Sequence, residues 1–360
     1  MTAEVYQELC ATMAKRGGPY PGRDIPEFHA LVRELFTPDE AAISNAMPKG
    51  FFTAEQVAAE AGRDPAEVGR ILEAMADKGL CNGVTLEGQK VYGAPPFVPG
   101  IFEYQFMRGT RTERDRRLAG LIHAYKEAVD AARSDRTISF PLTRVISVDR
   151  RVKAGTRVHT YDQVSTYIEQ YDPIAVATCF CRHEASLLDE TDSCGQPNEV
   201  CLTFGFGAQF VSERGIGHRI SKEEAREILE KCEEAGLVHC STNTQQIDFL
   251  CNCCSCHCLI LKAALRQPKP GLVLFSSFQP EWDRELCTAC ETCIERCPGR
   301  ALTLGPEEVP EVDRDRCFGC GVCATGCPSE AITMVERPQA PAPPADRKAL
   351  KEAVRAAQAV

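Results

Sequence analysis

No stretch of this 360-residue chain approaches the roughly 20 consecutive apolar residues of a membrane-spanning helix, so membrane insertion is not expected. Residues Met1 to Cys10 are acidic and mixed, without the basic start and apolar run of a secretory leader, which points to the cytoplasm. A dinucleotide fingerprint is missing as well. Gly205-x-Gly207 and Gly215-x-Gly217 have no third glycine and no strand–turn–helix setting, so neither marks a nucleotide or flavin site. Positive charge is short: 41 Lys and Arg against 51 Asp and Glu leave a net charge of −10, which argues against nucleic acid as the main partner. Cysteine, by contrast, is abundant, at 21 residues. In a small secreted chain that would suggest disulfides, but this chain is large and its first residues do not read as a leader.

Eight of the cysteines fall in two identical runs. Cys287-x-x-Cys290-x-x-Cys293-x-x-x-Cys297-Pro298 recurs thirty residues on as Cys317-x-x-Cys320-x-x-Cys323-x-x-x-Cys327-Pro328. This is the bacterial-ferredoxin run, in which the fourth cysteine ligates the other cluster. Cys287, Cys290, Cys293 and Cys327 are therefore expected to hold one 4Fe–4S cubane, and Cys317, Cys320, Cys323 and Cys297 the other. The short spacing lets one turn aim three thiolates at one cube, and the proline keeps helix from running back into the ligand loop. Structural zinc explains C-x-x-C pairs but neither the third cysteine nor the proline. Such clusters need reduced thiols and little oxygen, hence an anaerobic setting.

The chain is long for one core, so two or three domains are expected. The fold class is α+β, in the order helical winged-helix-like region, mixed cysteine-rich middle domain and two-cluster ferredoxin-like module. The corresponding segments are residues 1–94, a connector and long helix at 95–136, 137–275, 276–336, and a Pro/Ala-rich linker with a short helix at 337–360. Within the first segment, Thr53 can cap a helix over Ala54–Ala61, and Asp64 a second helix that begins at Pro65 and stops at Gly79. Two short strands around Leu86-Glu87-Gly88 complete a helix–turn–helix–hairpin order. The second helix mixes Glu67, Glu73 and Asp77 with Arg70 and Lys78, which favours a protein-docking or structural role over phosphate binding. A long amphipathic helix is expected over Thr112–Ala132, and the basic cluster Arg108, Arg111, Arg114, Arg116 and Arg117 precedes or opens it. Ile138–Val148 reads as strand, and Ile174–Phe180 as a buried strand delivering Cys179 and Cys181.

Eleven further cysteines lie between Cys179 and Cys258. Five thiols in the eight residues Cys251 to Cys258 would remain open to oxidation unless a metal or cluster shared them. Cys179, Cys181, Cys194, Cys201, Cys251, Cys253, Cys254, Cys256 and Cys258 are the candidate ligands for one or two further iron–sulfur clusters, with zinc the alternative. The pairs Cys251/Cys254 and Cys253/Cys256 are alternatives that the sequence does not choose between. His183 and His257 can ligate, but hydrogen bonding to a sulfur is the commoner role beside a cluster. Cys10, Cys81, Cys232 and Cys240 read as structural.

Together these features resemble a family of 4Fe–4S binding proteins of anaerobic bacteria and archaea, with a winged-helix-like N-terminus, a cysteine-rich middle and a dicluster ferredoxin module. The resemblance rests on Ile174 to Arg182, Cys201 to Gly205, Arg219 to Ala225, Ala235 to His239 and Cys251 to Cys254. It departs at Cys256-His257-Cys258, where the family tends to have three consecutive cysteines. The resemblance implies redox work without naming a substrate. The function expected is electron transfer between a redox partner, such as a flavin-containing oxidoreductase or dehydrogenase subunit, and the ferredoxin clusters. Alternatives are an oxidoreductase with a substrate-binding atypical cluster and a redox-responsive winged-helix regulator; homo- and hetero-oligomers are both open.

Overall fold

Side-chain caps at Thr37, Thr53, Asp64 and Thr112 start four helices of the N-terminal part. The computed structural model describes residues 2–133, 137–148, 151–153, 159–189, 191, 194–338 and 340–358. The expected boundary at 136, residue 339 of the linker and the last residue of the expected C-terminal helix, 359, lie outside these. Helices α1 (Thr2–Arg16), α2 (Pro26–Leu35), α3 (Pro38–Ala46), α4 (Ala54–Ala61) and α5 (Pro65–Asp77) lead into the hairpin β1 (Asn82–Leu86) and β2 (Gln89–Gly93). Thr53 and Asp64 cap α4 and α5, and Gly62 and Gly79 close them in the left-handed conformation. The hairpin turns on Glu87 and Gly88, both at positive φ, as a two-residue primed turn requires. After α6 (Phe102–Phe106), α7 (Glu113–Ala131) starts at a Thr112–Asp115 capping box and buries Leu118, Ile122, Tyr125 and Val129.

The remaining elements are β3 (Thr143–Val145), α8 (Val164–Gln170), β4 (Ile174–Thr178), α9 (Phe180–Leu188), β5 (Glu199–Phe204), α10 (Gly205–Glu213), β6 (His218–Ile220) and α11 (Lys222–Glu234). There follow β7 (Val238–Thr242), β8 (Phe249–Cys253), α12 (Leu259–Leu265), α13 (Pro270–Val273), β9 (Phe278–Trp282), α14 (Thr292–Glu295), β10 (Leu302–Leu304), β11 (Pro310–Val312), α15 (Val322–Thr325), β12 (Ile332–Glu336) and α16 (Arg347–Gln358). The chain divides into two units: Met1–Asp135 with Ala177–Ser193 and Gln209–His218, and Arg136–Val176 with Cys194–Ala208 and Arg219–Val360. No described helix is long and apolar enough to cross a membrane.

In the first unit several cations near α5 are engaged in ion pairs, whereas Arg70 on α5 is exposed. Arg63 pairs with Asp39 and Glu67, Lys78 with Glu40, and the nearly buried Arg214 with Glu73 and Asp77. The arginines around the start of α7 do not converge on one point: Arg111 binds Ser186, Arg117 binds Glu34, and Arg108 donates to the carbonyls of Asp77 and Gly215.

The second unit is built on a sheet of order β3-β7-β8-β5-β4-β6. Because successive strand residues face opposite sides, Ile146, Leu202, Phe204 and Leu250 join the helices α8 and α11 in one core. Val145, Val238, Cys240 and Cys253 face the other core, with Leu261 of α12, Phe318 and Val322. The expected strand over Ile138–Val148 shrinks to Thr143–Val145, since Pro141 cannot donate to a ladder. The expected strand through Phe180 ends at Thr178, and Cys179 instead occupies the N-cap position of α9. Antiparallel pairs β9–β12 and β10–β11 frame the C-terminal module.

Arg144, on β3, is buried and donates to the Thr244 carbonyl at 3.2 Å, Asp162 at 3.3 Å and the Tyr167 hydroxyl at 2.9 Å. Asp162 also accepts from Ser277, one residue before β9, at 3.0 Å, so the network ties the sheet edge to the module. Removing one partner strands a buried charge. Arg144→Met is expected to lower the unfolding free energy by about 3 kcal/mol in urea denaturation of the full chain.

Candidate metal centre

The twin cysteine runs line two cavities. The first is bounded by Cys287, Cys290, Cys293 and Cys327, with Trp282, Glu291 and Ile332 among its walls. The second is bounded by Cys297, Cys317, Cys320 and Cys323, with Phe318, Leu302 and Met334. Each cavity thus gathers three thiols from one run and the fourth from the other. The two adjoin through a shared core containing Cys293, Cys323, Cys297 and Cys327.

Both cavities fit a cubane by their chemistry. The buried indole N–H of Trp282, in the wall of the first, has no hydrogen-bond partner among the described residues, which suits a sulfur acceptor. In the second, the amides of Ala301 and Gly319 donate to the sulfurs of Cys297 and Cys317 at 3.3 and 3.4 Å. Burial pushes the Cys320 thiol up to about 12 and the Cys323 thiol well above its ordinary value. Free thiolates are disfavoured there, so ionised sulfur requires a cation in the cavity. At Cys290 the Thr292 side chain holds the thiol below its usual value.

The duplication reaches the backbone. Ala289, Glu291 and Arg300 take positive φ in the first half, and Gly319, Gly321 and Glu330 do so thirty residues on. At Gly319 a Cβ would collide with the Phe278 carbonyl oxygen, whereas the first half tolerates side chains in the same conformation. The same left-handed turns recur in both ligand loops, and the non-glycine residues there accept a cost of about 1 kcal/mol each.

The middle cysteines divide according to strand geometry. Cys240 of β7 lies directly opposite Cys251 of β8 in the antiparallel register, and Cys251 interacts with Cys201 of the next strand, β5. A row of thiols therefore crosses three adjacent strands. Cys253, two residues along on the same face, contacts Cys240 and Cys251, and its sulfur lies 3.1 Å from that of Cys258. Cys240 is pulled down by its hydrogen bond to Cys253, but burial and the neighbouring thiols outweigh this and leave it raised. This face also carries Phe318, Val322 and Cys320, a wall of the second cavity.

Beyond β8 the chain turns, and Cys254, Cys256 and His257 gather with Cys194 from the loop before β5. Burial and the sulfurs of Cys254 and Cys194 push the Cys256 thiol up to about 12. The groupings are thus Cys251 with Cys253 and Cys254 with Cys256, neither of the C-x-x-C pairings open in the sequence. Cys240, read as structural, joins the first group; its cross-strand position opposite Cys251 could be recognised only once the register was known. Cys179 and Cys181 belong to the first unit, at the N-cap and first turn of α9. His183, in the same helix, donates from Nε2 to the Thr110 carbonyl at 2.7 Å and packs on Phe106. Cys81 is buried and donates to the Leu72 carbonyl at 3.5 Å. All 21 cysteines are unbridged.

Residues 283–339 match the family described as 4Fe-4S dicluster domain. No curated protein and no solved structure matches the chain. The C-terminal module is therefore of the ferredoxin type, and the chain is an iron–sulfur binding protein.

The lining of the two cavities predicts a crossed fourth ligand, which double variants test. Cys287→Ser with Cys327→Ser removes two thiols from one cavity and is expected to cost about four iron atoms per chain. Cys287→Ser with Cys297→Ser removes one from each, and should perturb both 4Fe–4S EPR signals. Equal damage from the two pairs would refute the crossing. At the left-handed position, Glu291→Gly is expected to raise the melting temperature of the anaerobically purified protein, worth about 1 kcal/mol of relieved strain.

Proposed function

We propose that this protein is an electron-transfer protein or subunit, passing electrons between a redox partner and its two ferredoxin-type centres. Cys287, Cys290, Cys293 and Cys327 would hold one cluster, and Cys317, Cys320, Cys323 and Cys297 the other. Thiols among Cys201, Cys240, Cys251, Cys253 and Cys258 would hold a further cluster in the middle segment. Bound 4Fe–4S clusters exchange single electrons. The observation that carries the reading is the continuity of the thiols: the three-strand row shares a core with Cys320, and the two ferredoxin cavities share another.

The side chains around the first cavity suit an outlet. Cys290 is exposed, as are Asp283, Glu285, Glu291 and Glu295 beside it. From Glu281 to Glu336 there are twelve acidic against five basic residues. Two of those five are directed inward: Arg296 donates to the carbonyls of Glu233 and Glu234, and Arg316 to those of Gly299 and Arg300. Such a rim would steer a partner with a basic docking face, for instance a flavin-containing oxidoreductase. The winged-helix-like N-terminal segment is read as a docking element, because Arg63 and Lys78 are held in internal ion pairs. A reducing, anaerobic cytoplasm is the setting these thiols require.

Anaerobic iron and sulfide analysis with EPR is expected to find about twelve iron atoms per chain. About eight would sink the further cluster and leave the dicluster module intact. Electron transfer from the dithionite-reduced protein to cytochrome c, a basic one-electron acceptor, should slow about tenfold between low and physiological ionic strength. Glu285→Lys with Glu291→Lys should remove that salt dependence; an unchanged dependence would exclude this face as the docking site.

A further inference from the structure

We infer that Cys194, Cys254, Cys256 and His257 bind a single tetrahedral zinc ion, a site distinct from every iron–sulfur centre of the chain. The inference does not depend on the electron-transfer reading, because it rests on geometry and donor type alone. One Nδ1 or Nε2 nitrogen and three sulfurs all lie within 4.8 Å of one another. Four donors at 2.0–2.3 Å from one ion in a tetrahedron sit about 3.3–3.8 Å apart, so a contraction of the group closes the shell. A cubane spreads its four thiolates over four separate irons and keeps them wider apart. Among the described residues this is the one group of three or more metal-binding side chains gathered so tightly, and none of the eight ferredoxin thiols belongs to it.

The donor set is three thiolates and an imidazole, a combination that structural zinc accepts. Thiol and imidazole come from one turn: Cys254 Sγ lies 3.9 Å from His257 Nδ1, and Cys256 sits between them in sequence. The fourth donor, Cys194, arrives from a loop sixty residues earlier in the chain. An ion there would stitch the entry to β5 onto the exit of β8, its neighbour in the sheet. Strand alternation separates this site from the other thiols, since Cys251 and Cys253 point to the sheet face shared with Cys240. The burial gradient suits loading from solvent: Cys254 is buried and Cys256 exposed. Binding would release the thiol protons as the three sulfurs become thiolates.

The test is metal analysis and zinc K-edge EXAFS on the full chain purified anaerobically. The expected result is one zinc per chain, with about three sulfurs near 2.3 Å and one nitrogen near 2.0 Å. Cys256→Ser should lower the zinc retained after chelator dialysis at least about tenfold while leaving iron unchanged. His257→Cys should keep the zinc and shift the shell to four sulfurs, showing that the fold survives substitution in this turn. A chain without zinc overturns the inference, as does a Cys256→Ser variant that loses about four iron atoms. The ferredoxin EPR signals, followed in the same samples, report separately on the electron-transfer reading.

Discussion

A buried thiol resists ionisation, and a metal centre needs it ionised. That conflict organises the second unit. The walls of the second ferredoxin cavity are apolar, and burial there lifts Cys320 and Cys323 far from the range in which they would lose protons in water. Only a strongly positive group inside the cavity reverses the balance, with backbone amides such as those of Ala301 and Gly319 assisting at the sulfurs. The protein provides shape and N–H groups, and the folded module is coupled to what fills it.

The same economy of placement extends into the sheet. Strand residues alternate in facing, so one side of β7, β8 and β5 carries a row of thiols while the other carries Leu202, Phe204 and Leu250. Helices α8 and α11 cover the apolar side. The thiol side meets Phe318, Val322 and Cys320, so the middle sheet and the ferredoxin module bury a common surface within one unit. Arg144 and Asp162 hold the edge of that arrangement by satisfying buried carbonyls and hydroxyls that apolar residues could not.

Much of the local structure was legible because it obeys local rules. Thr53, Asp64, Thr112 and Ser221 cap helices where their side chains reach amides three residues ahead. Glu87-Gly88 turns the hairpin because both residues accept positive φ. The expectations that shortened, Ile138–Val148 and Ile174–Phe180, did so where a proline broke a ladder and where a helix start competed with a strand end. The arginine cluster around the start of α7 could not be resolved by such rules, since its partners, Glu34 and Ser186 among them, lie far away in sequence.

By itself the sequence determined the two ferredoxin runs, their thirty-residue repeat and the caps, because each depends on residues a few positions apart. The tertiary structure decided how the remaining thiols group. Whether Cys251 belongs with Cys254 or with Cys253 follows from strand alternation, and the addition of Cys240 and Cys201 follows from register across β7, β8 and β5. Cys194 reaches the turn at Cys254 only when two distant segments fold together. Spacing along a chain can specify a loop of ligands, but a site assembled across strands exists only once the strands have paired.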